Sequence, residues 1–164
     1  LGLKVQSESP NETNLPRLAQ LTERTNQFNI NNVKRSAAEL RETATSGTGA
    51  VEAFRVSDKF GDYGIVGLYS AHAESADLHV DTFLMSCRVL GRGVEHCMIA
   101  NIGRLAQQHN ASNVKISVRV TDRNLPVRQF LNLIEGKHVA KDREELHIIS
   151  AETAAASVAV NAPP

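Results

Sequence analysis

The spacing of apolar residues along the chain predicts four helices. The clearest runs from Val94 to His109, where Met98, Ile102 and Leu105 recur at helical intervals on one face. Three shorter helices are predicted where a capping residue precedes an apolar stripe. They begin at Asn14, Ser36 and Asn124, and the last ends at Gly136.

Alternation of apolar and polar residues predicts the strands. Val114, Ile116, Val118 and Val120 alternate with polar side chains, as in a half-buried strand. The stretch 78–87 has a mixed pattern that indicates a β-bulge. Further strands are predicted at residues 3–6, 51–57, 65–69 and 146–150. The second and third of these form an antiparallel hairpin with a long connection. The fold class is therefore mixed α/β or α+β with one sheet.

Length and composition are those of one ordinary globular domain. The chain has 164 residues, 41% of them hydrophobic and 22% charged. Lys and Arg (18) balance Asp and Glu (18), so the overall charge attracts neither nucleic acid nor an anionic membrane. Apolar runs fall short of the ~20 residues that cross a bilayer, and we expect no signal peptide. Two cysteines suit a reducing compartment. A cytoplasmic protein is expected.

We expect a single domain over residues 1–150, followed by an Ala/Pro-rich linker or tail over residues 151–164. The last segment lacks large apolar side chains whose burial would offset the loss of chain entropy. The chain opens without methionine. A domain excised from a multidomain protein would have these features, and a free-standing protein with a processed terminus is the alternative.

A glycine-rich turn between a strand and the clearest helix carries the strongest chemical signal. Its glycines allow a close backbone approach to a ligand, and the first helical turn offers unpaired N–H groups at the positive end of the helix dipole. Two arginines add positive charge. The turn predicts a pyrophosphate site made by Arg88, Val89, Leu90, Gly91, Arg92, Gly93 and Val94. The spacing is too short for the dinucleotide-binding motif, and a plain tight turn is the alternative.

The motif Arg88-x-x-Gly91-x-Gly93 resembles the acyl-coenzyme A signature of the Gcn5-related N-acetyltransferase (GNAT) superfamily. The helix that begins at Asn124 resembles that family's Asn-x-x-Ala-x-x-Phe-Tyr helix. The resemblance covers about residues 50–150. It implies a GNAT-like fold with one central, mixed and mostly antiparallel sheet flanked by helices, and a pantetheine arm in a cleft between two splayed strands. It also implies a role near the cofactor for Asn124, for which a helix cap is the structural explanation.

Three blocks of the chain are similar to the C-terminal half of FkbH-like proteins. They are residues 18–29, 57–64 and 81–95. That family joins a haloacid-dehalogenase-type (HAD) phosphatase module to a GNAT-like module. The resemblance implies loading of a glyceryl unit from 1,3-bisphosphoglycerate onto an acyl carrier protein in polyketide biosynthesis. The chain lacks the Asp-x-Asp pair of the phosphatase module. We therefore expect the GNAT-like half alone, with the carrier protein and the phosphatase domain as partners.

Cys87 is the candidate nucleophile. It precedes Arg88 and lies near a helix N-terminus, a setting that favours a thiolate, and the resemblance implies that the acyl unit passes through a cysteine. A small buried residue is the alternative. Cys97 is predicted in the core. Asp81, a carboxylate inside an apolar strand, is either a structural partner of Arg88 or Lys115 or a base that orients Cys87.

Asn26, Gln27 and Asn29 are candidate substrate-binding residues, since their amides suit a hydroxylated acyl group or pantetheine. A solvated loop is the alternative. His79, on the strand that leads to Asp81, is the histidine nearest the expected cleft, although a solvent-facing histidine is the alternative there. The histidines do not have the spacing of metal ligands, so no metal is expected.

The expected acyl carrier is the phosphopantetheine arm of a carrier protein, or coenzyme A. Two other functions stay open: an acetyl-coenzyme A N-acetyltransferase, and a catalytically silent domain that docks the carrier protein. Leu131 stands where many acetyltransferases have a tyrosine as general acid, and Tyr63 is a possible substitute. A local cluster of Arg119, Arg123 and Arg128 suits an acidic carrier protein or is plain surface charge.

Overall fold

The computed structural model describes residues 2–158, so predictions for residue 1 and for residues 159–164 lie outside the described residues. In this part of the chain seven strands form one sheet, and five α-helices pack around it. The strands are β1 (Lys4–Glu8), β2 (Gly49–Asp58), β3 (Gly61–Glu74), β4 (Asp77–Met85), β5 (Asn113–Arg119), β6 (Lys137–Lys141) and β7 (Glu144–Ser150). The helices are α1 (Leu15–Arg24), α2 (Ala37–Thr45), α3 (Val94–Gln108), α4 (Leu125–Asn132) and α5 (Ala151–Ala155).

The strand order in the sheet is β1-β2-β3-β4-β5-β7-β6. Neighbouring strands are antiparallel except for β4 and β5, which run parallel. A parallel pair needs a crossover connection, and α3 supplies it. The sheet is therefore mixed and mostly antiparallel, as the sequence predicts.

Strands β4 and β5 separate partway along their length. The ladder between them ends where Val80 faces Ile116, although β4 continues to Met85. The predicted bulge lies at the same point, because Asp81 is an extra residue without a partner in β3. A bulge bends its strand and increases the local twist, so the end of β4 turns away from β5. The two strands are thus splayed and leave a gap.

The gap is filled by residues 28–30 of the loop after α1, which we call the gap segment. The amide of Met85 donates to the carbonyl of Phe28 (3.0 Å), and the amide of Ile30 donates to β4 as well (3.3 Å). On the opposite side, the amide of Arg119 donates to the carbonyl of Ile30 (2.8 Å). Phe28 and Ile30 are fully buried. The backbone groups that border the gap are therefore already paired within the chain.

Helices cover both faces of the sheet. The apolar sides of α1 and α2 pack on one face in a cluster that includes Leu18, Leu40 and Leu84. The other three helices pack on the opposite face in the larger cluster, which includes Met98 and Phe130. The helices α1 and α3 therefore approach the end of β4 from opposite sides. Between residues 2 and 158, none of the helices has the length and apolar character needed to span a membrane.

The structure extends the predicted elements in two places. The sequence does not predict β6, an edge strand whose side chains are largely exposed. The fold also continues past the predicted domain boundary at residue 150, because Ala151 and Ala154 of α5 are buried against the core. A Cβ on Gly103 of α3 would collide with the backbone nitrogen of Ala155, so these two helices touch at a glycine. Small residues, typical of a linker, here allow close helix packing.

The hairpin and the helix caps differ in detail from the predictions. The strands β2 and β3 are joined by two residues instead of a long connection, since β3 already begins at Gly61. Ser36 forms the predicted capping box with Glu39. Asn14 and Asn124 do not cap their helices, because their side-chain oxygens accept hydrogen bonds from backbone amides that precede them.

Candidate active site

The glycine-rich turn between β4 and α3 has the backbone form of an anion site. Gly91 and Gly93 have φ values of +79° and +89°, in the left-handed region that favours glycine, and Gly93 is the residue before the first helical turn of α3. A Cβ on Gly91 would meet no atom within 4 Å, so the space beside the turn is open. The predicted phosphate-binding turn therefore fits a phosphate group. Val89 and Val94 contribute backbone only, since their side chains are fully buried.

The two arginines of the turn have different surroundings. The guanidinium of Arg92 contacts the carboxylate of Asp58 (3.1 Å) and lies over the ring of Tyr63 (5.6 Å), whose hydroxyl also donates to Asp58 (2.9 Å). Burial opposes ionisation of Asp58, but hydrogen bonds from Phe60's amide, Arg92 and Tyr63 outweigh it and hold the pKa of this carboxyl below its usual range. Arg92 thus stabilises the turn through its contacts with Asp58 and Tyr63. Arg88 is exposed and donates to the carbonyl of Tyr63 (3.3 Å).

Cys87 is exposed and lies in the wall of a cavity of about 300 Å³. It begins the short 3-10 turn Cys87–Val89, which the side chain of Ser86 caps. The predicted residues Asn26, Gln27 and Arg88 line the same cavity. The structure therefore brings three other candidate residues together around the thiol of Cys87.

Two arginines of α1, Arg17 and Arg24, also line the cavity, and the sequence analysis missed them. Their spacing of seven residues places both on one face of α1, and this spacing is the sequence signal that predicts a shared position. The guanidinium of Arg17 donates to Gln20 (2.8 Å) and to the carbonyl of Ile65 (3.3 Å). Burial, with the nearby charges of Arg88 and Arg24, lowers the pKa of Arg17.

Asp81 and His79 lie elsewhere. Asp81 contacts the imidazole of His72 (2.6 Å), and the ring of His79 stacks on that imidazole (5.1 Å between centroids). The predicted pairing of Asp81 with Arg88 or Lys115 is wrong, because Lys115 pairs with Asp77 (3.0 Å) and Arg88 donates to the carbonyl of Tyr63. Asp81 is also four residues before the end of β4, roughly 13 Å along the strand, so it does not orient the thiol of Cys87.

Asn29 and Asn124 are buried and use their side chains to hold the gap segment. Asn29 donates to the carbonyl of Thr25 (2.8 Å) and accepts from two backbone amides that follow it. Asn124 donates to the carbonyls of Asn29 (3.1 Å) and Arg119 (2.8 Å). The side-chain amides of Asn29 and Asn124 are therefore engaged in hydrogen bonds within the chain rather than directed at a ligand.

The gap does not fit an extended pantetheine arm. Phe28 of the gap segment packs against Phe83 and Phe130, each at 5.5 Å between ring centroids. The ring of His96 meets Phe130 edge-on at 4.9 Å, so α3 and α4 touch beside the gap. Burial lowers the pKa of His96. The residues present thus fit the phosphates of a pantetheine carrier at the turn, but not its arm between β4 and β5.

Two residues in the first turns of α3, Glu95 and Cys97, have environments that their polarity does not suggest. Cys97 is exposed, so its prediction as a core residue is wrong. Partial burial and the nearby Glu95 raise the pKa of this thiol. Glu95 is only 6% exposed, and its Oε2 has no hydrogen-bond partner among residues 2–158. Within the same residues, no cluster of three His, Cys, Asp or Glu side chains has the arrangement of a metal site.

Comparisons with known proteins identify the fold. A scan against models of protein families finds no match, and a search of curated proteins finds no significant match. The PaiA N-acetyltransferase of Thermoplasma acidophilum, in complex with coenzyme A, has a TM-score of 0.69 at 6% identity, covering 90% of this chain and 99% of its own. A GNAT-family acetyltransferase of Staphylococcus aureus Mu50 has a TM-score of 0.68 at 8% identity, with the same coverage.

A third solved structure is the ribosomal-protein-S18-alanine N-acetyltransferase of Escherichia coli. Its TM-score is 0.62 at 9% identity, covering 90% of this chain and 92% of its own. The predicted GNAT-like fold is thereby confirmed, and the similarity to FkbH-like proteins stays a prediction. At such low identities the likeness concerns architecture alone: this chain has the fold of the GNAT acetyltransferases.

Proposed function

We propose that the chain transfers an acyl group from a thioester of phosphopantetheine, carried by coenzyme A or by a carrier protein, with the pantetheine arm outside the gap between β4 and β5, which residues 28–30 fill. The observation that carries this proposal is the turn of Gly91 and Gly93, which opens onto the N-terminus of α3 in a GNAT fold. The amides of that helical turn would bind the phosphate groups. The T. acidophilum neighbour is described as a complex with coenzyme A, which supports a donor with these phosphates.

An amine is the acceptor that the fold neighbours support best, since two of those described above are N-acetyltransferases. In such a transfer the amine nitrogen attacks the thioester carbonyl, the N–C bond forms and the C–S bond breaks. The proton that the nitrogen loses passes through water to the leaving thiolate. Leu131 has no proton to give, and the hydroxyl of Tyr63 already donates to Asp58.

A second candidate is glyceryl transfer to an acyl carrier protein through Cys87, as in the FkbH-like resemblance. One observation favours it: the thiol is exposed on a cavity that Asn26 and Gln27 also line. The sulfur of Cys87, having given its proton to solvent, would attack the glyceryl carbonyl of 1,3-bisphosphoglycerate, forming a C–S bond while the C–O bond to the departing phosphate breaks. A carrier thiol would then take the glyceryl unit. A HAD-type phosphatase domain would be the second partner.

Intact mass spectrometry separates these two routes. The chain is incubated with acetyl-coenzyme A and a panel of amines, and separately with glyceryl-loaded carrier protein. The amine route predicts acetylated amine and free coenzyme A, with activity retained in Cys87→Ala. The thiol route predicts a mass gain of one glyceryl unit that is lost in Cys87→Ala and kept in Cys97→Ala. Cys97 is the matched control because it is the other exposed cysteine.

Failure of both reactions would refute acyl transfer. If neither donor is consumed while the carrier protein still binds, the remaining alternative is a silent docking domain. A glyceryl adduct that persists in Cys87→Ala would leave the acyl-transfer proposal standing and remove Cys87 from it. Each variant is first compared with the wild-type chain by thermal unfolding.

A further inference from the structure

We infer that the cavity beside Cys87 binds a small molecule that carries a phosphate monoester. Three arginines line it, namely Arg17, Arg24 and Arg88. Other arginines of the described chain, such as Arg92 and Arg128, contact a carboxylate. None of the three cavity arginines forms a salt bridge with any residue between 2 and 158. The hydrogen-bond partners of Arg17 and Arg88 are neutral groups.

The three positive groups converge from two elements. Arg17 and Arg24 come from one face of α1, while Arg88 follows β4. The guanidinium of Arg17 is held by Gln20 and the carbonyl of Ile65, and that of Arg88 by the carbonyl of Tyr63. Two of the three groups are thus fixed in position before a ligand arrives.

The charge of this cavity is uncompensated. Arg17 is half-buried, and burial together with the charges of Arg88 and Arg24 lowers its pKa. Neighbouring like charges repel each other and disfavour each other's ionised form, and an anion that binds among them reduces this repulsion. An anionic ligand would therefore bind more tightly, because its binding reduces the repulsion among these arginines in the free protein.

The lining residues indicate the class of anion. Guanidinium groups donate paired hydrogen bonds to phosphate and carboxylate oxygens, and three of them match the two charges of a phosphate monoester better than one carboxylate. A cavity of about 300 Å³ is at the lower end of the range for small-molecule sites. Thr25, Asn26 and Gln27 add polar groups, while Leu21 and Phe28 add an apolar wall. The ligand is therefore a short polar chain with one phosphate.

This site is separate from the phosphate-binding turn of Gly91 and Gly93. Arg17 and Arg24 belong to α1, which packs on the face of the sheet opposite α3. Only Arg88 belongs to both places. The inference does not rest on acyl transfer, because it is tested by binding alone. Binding without transfer would refute the proposed function and leave this site standing.

Isothermal titration calorimetry with glycerol 3-phosphate tests the inference, and glycerol is the uncharged control. We expect saturable binding that weakens as ionic strength rises. Arg24→Gln and Arg88→Gln should each raise Kd about tenfold to a hundredfold, because each removes a charge-assisted hydrogen bond. Arg104→Gln on α3 makes the same change of charge at an exposed position outside the cavity and should leave Kd unchanged.

Three results would overturn the inference. They are no saturable binding of glycerol 3-phosphate at millimolar concentration, equal weakening by Arg104→Gln, and an Arg24-dependent site that takes coenzyme A but not the small ester. Thermal unfolding checks that each variant is folded. Should Arg88→Gln fail to fold, the exposed Arg24 at the end of α1 still provides the test.

Discussion

The side-chain amide of Asn124 joins separate parts of the backbone around the gap between β4 and β5. It donates to the carbonyls of Asn29 and Arg119, and it is buried. Asn124→Ala should lower the free energy of unfolding by about 2 kcal/mol or more, because buried acceptors that lose their donor cost about 1–3 kcal/mol each. Urea unfolding followed by circular dichroism measures the loss.

Asn132→Ala is the matched control for this prediction. The amide of Asn132 also donates to a backbone carbonyl, that of Arg128 (2.8 Å), but at an exposed position. Water replaces the lost donor there, so the change should stay within about 0.5 kcal/mol. If Asn124→Ala keeps the wild-type stability but loses affinity for the acyl donor, the structural role of Asn124 is refuted.

The sequence predicts single residues of α3 less well than the helix itself. Its apolar spacing indicates the helix within two residues of its observed ends, but not which side chains at its start are buried. Glu95 is buried and Cys97 is exposed, the reverse of what their polarity suggests. The first turn of a helix follows the direction in which the chain enters it, and that direction is set by the turn of Gly91 and Gly93.

At the scale of elements, local signals predict α3, β5, the bulge in β4 and the capping box at Ser36. Each depends on residues close together in the chain. The sequence does not reveal that the gap segment pairs with β4 or that α5 packs on α3, since both need distant partners. For the same reason it names Cys87, Asn26 and Gln27 separately but misses the arginines of α1 that line the same cavity.

The contact between α3 and α5 depends on Gly103. Because a Cβ there would collide with the backbone of Ala155, Gly103→Ala forces one helix to move. We expect the free energy of unfolding to fall by about 1–3 kcal/mol, the usual cost of overpacking. Hydrogen exchange should show faster exchange of the amides of α5.

Gly47→Ala is the matched control for the helix contact. A Cβ on this exposed glycine would meet no atom within 4 Å. The free energy of unfolding of the Gly47→Ala protein should therefore be unchanged or slightly higher than that of the wild type. If Gly103→Ala proves as stable as Gly47→Ala and α5 exchanges at the wild-type rate, the two helices are not in the close contact described.

For the molecule as a whole, charge is balanced in number but not in position. Lys and Arg (18) equal Asp and Glu (18), yet three arginines share one cavity without a carboxylate among the described residues. Carboxylates instead contact partners elsewhere, as Glu145 contacts Arg128 (2.7 Å) and His147 (3.0 Å). A net charge of zero therefore excludes a global attraction to polyanions but allows a local anion site.

The Glu145–His147 pair of β7, which Arg128 of α4 also contacts, makes stability depend on pH. Burial lowers the pKa of His147 below its ordinary value of 6.5, with His138 adding to the effect despite the opposing bond to Glu145. Burial alone would raise the pKa of Glu145, but Arg128 and His147 hold it below its ordinary 4.5. In both cases the unfolded chain takes up a proton at a higher pH than the folded chain.

Stability should therefore fall in two steps as the pH is lowered. The first begins near pH 6.5, where His147 of the unfolded chain becomes charged, and ends at its lower folded pKa. The second begins near pH 4.5 and ends as Glu145 becomes protonated in the folded state. Urea unfolding at a series of pH values measures both. His147→Gln should reduce the first step, to which the lowered pKa of His96 also contributes, whereas His109→Gln, at an exposed position, should leave it unchanged. A first step of equal size in wild type and His147→Gln would assign that pH dependence to another group.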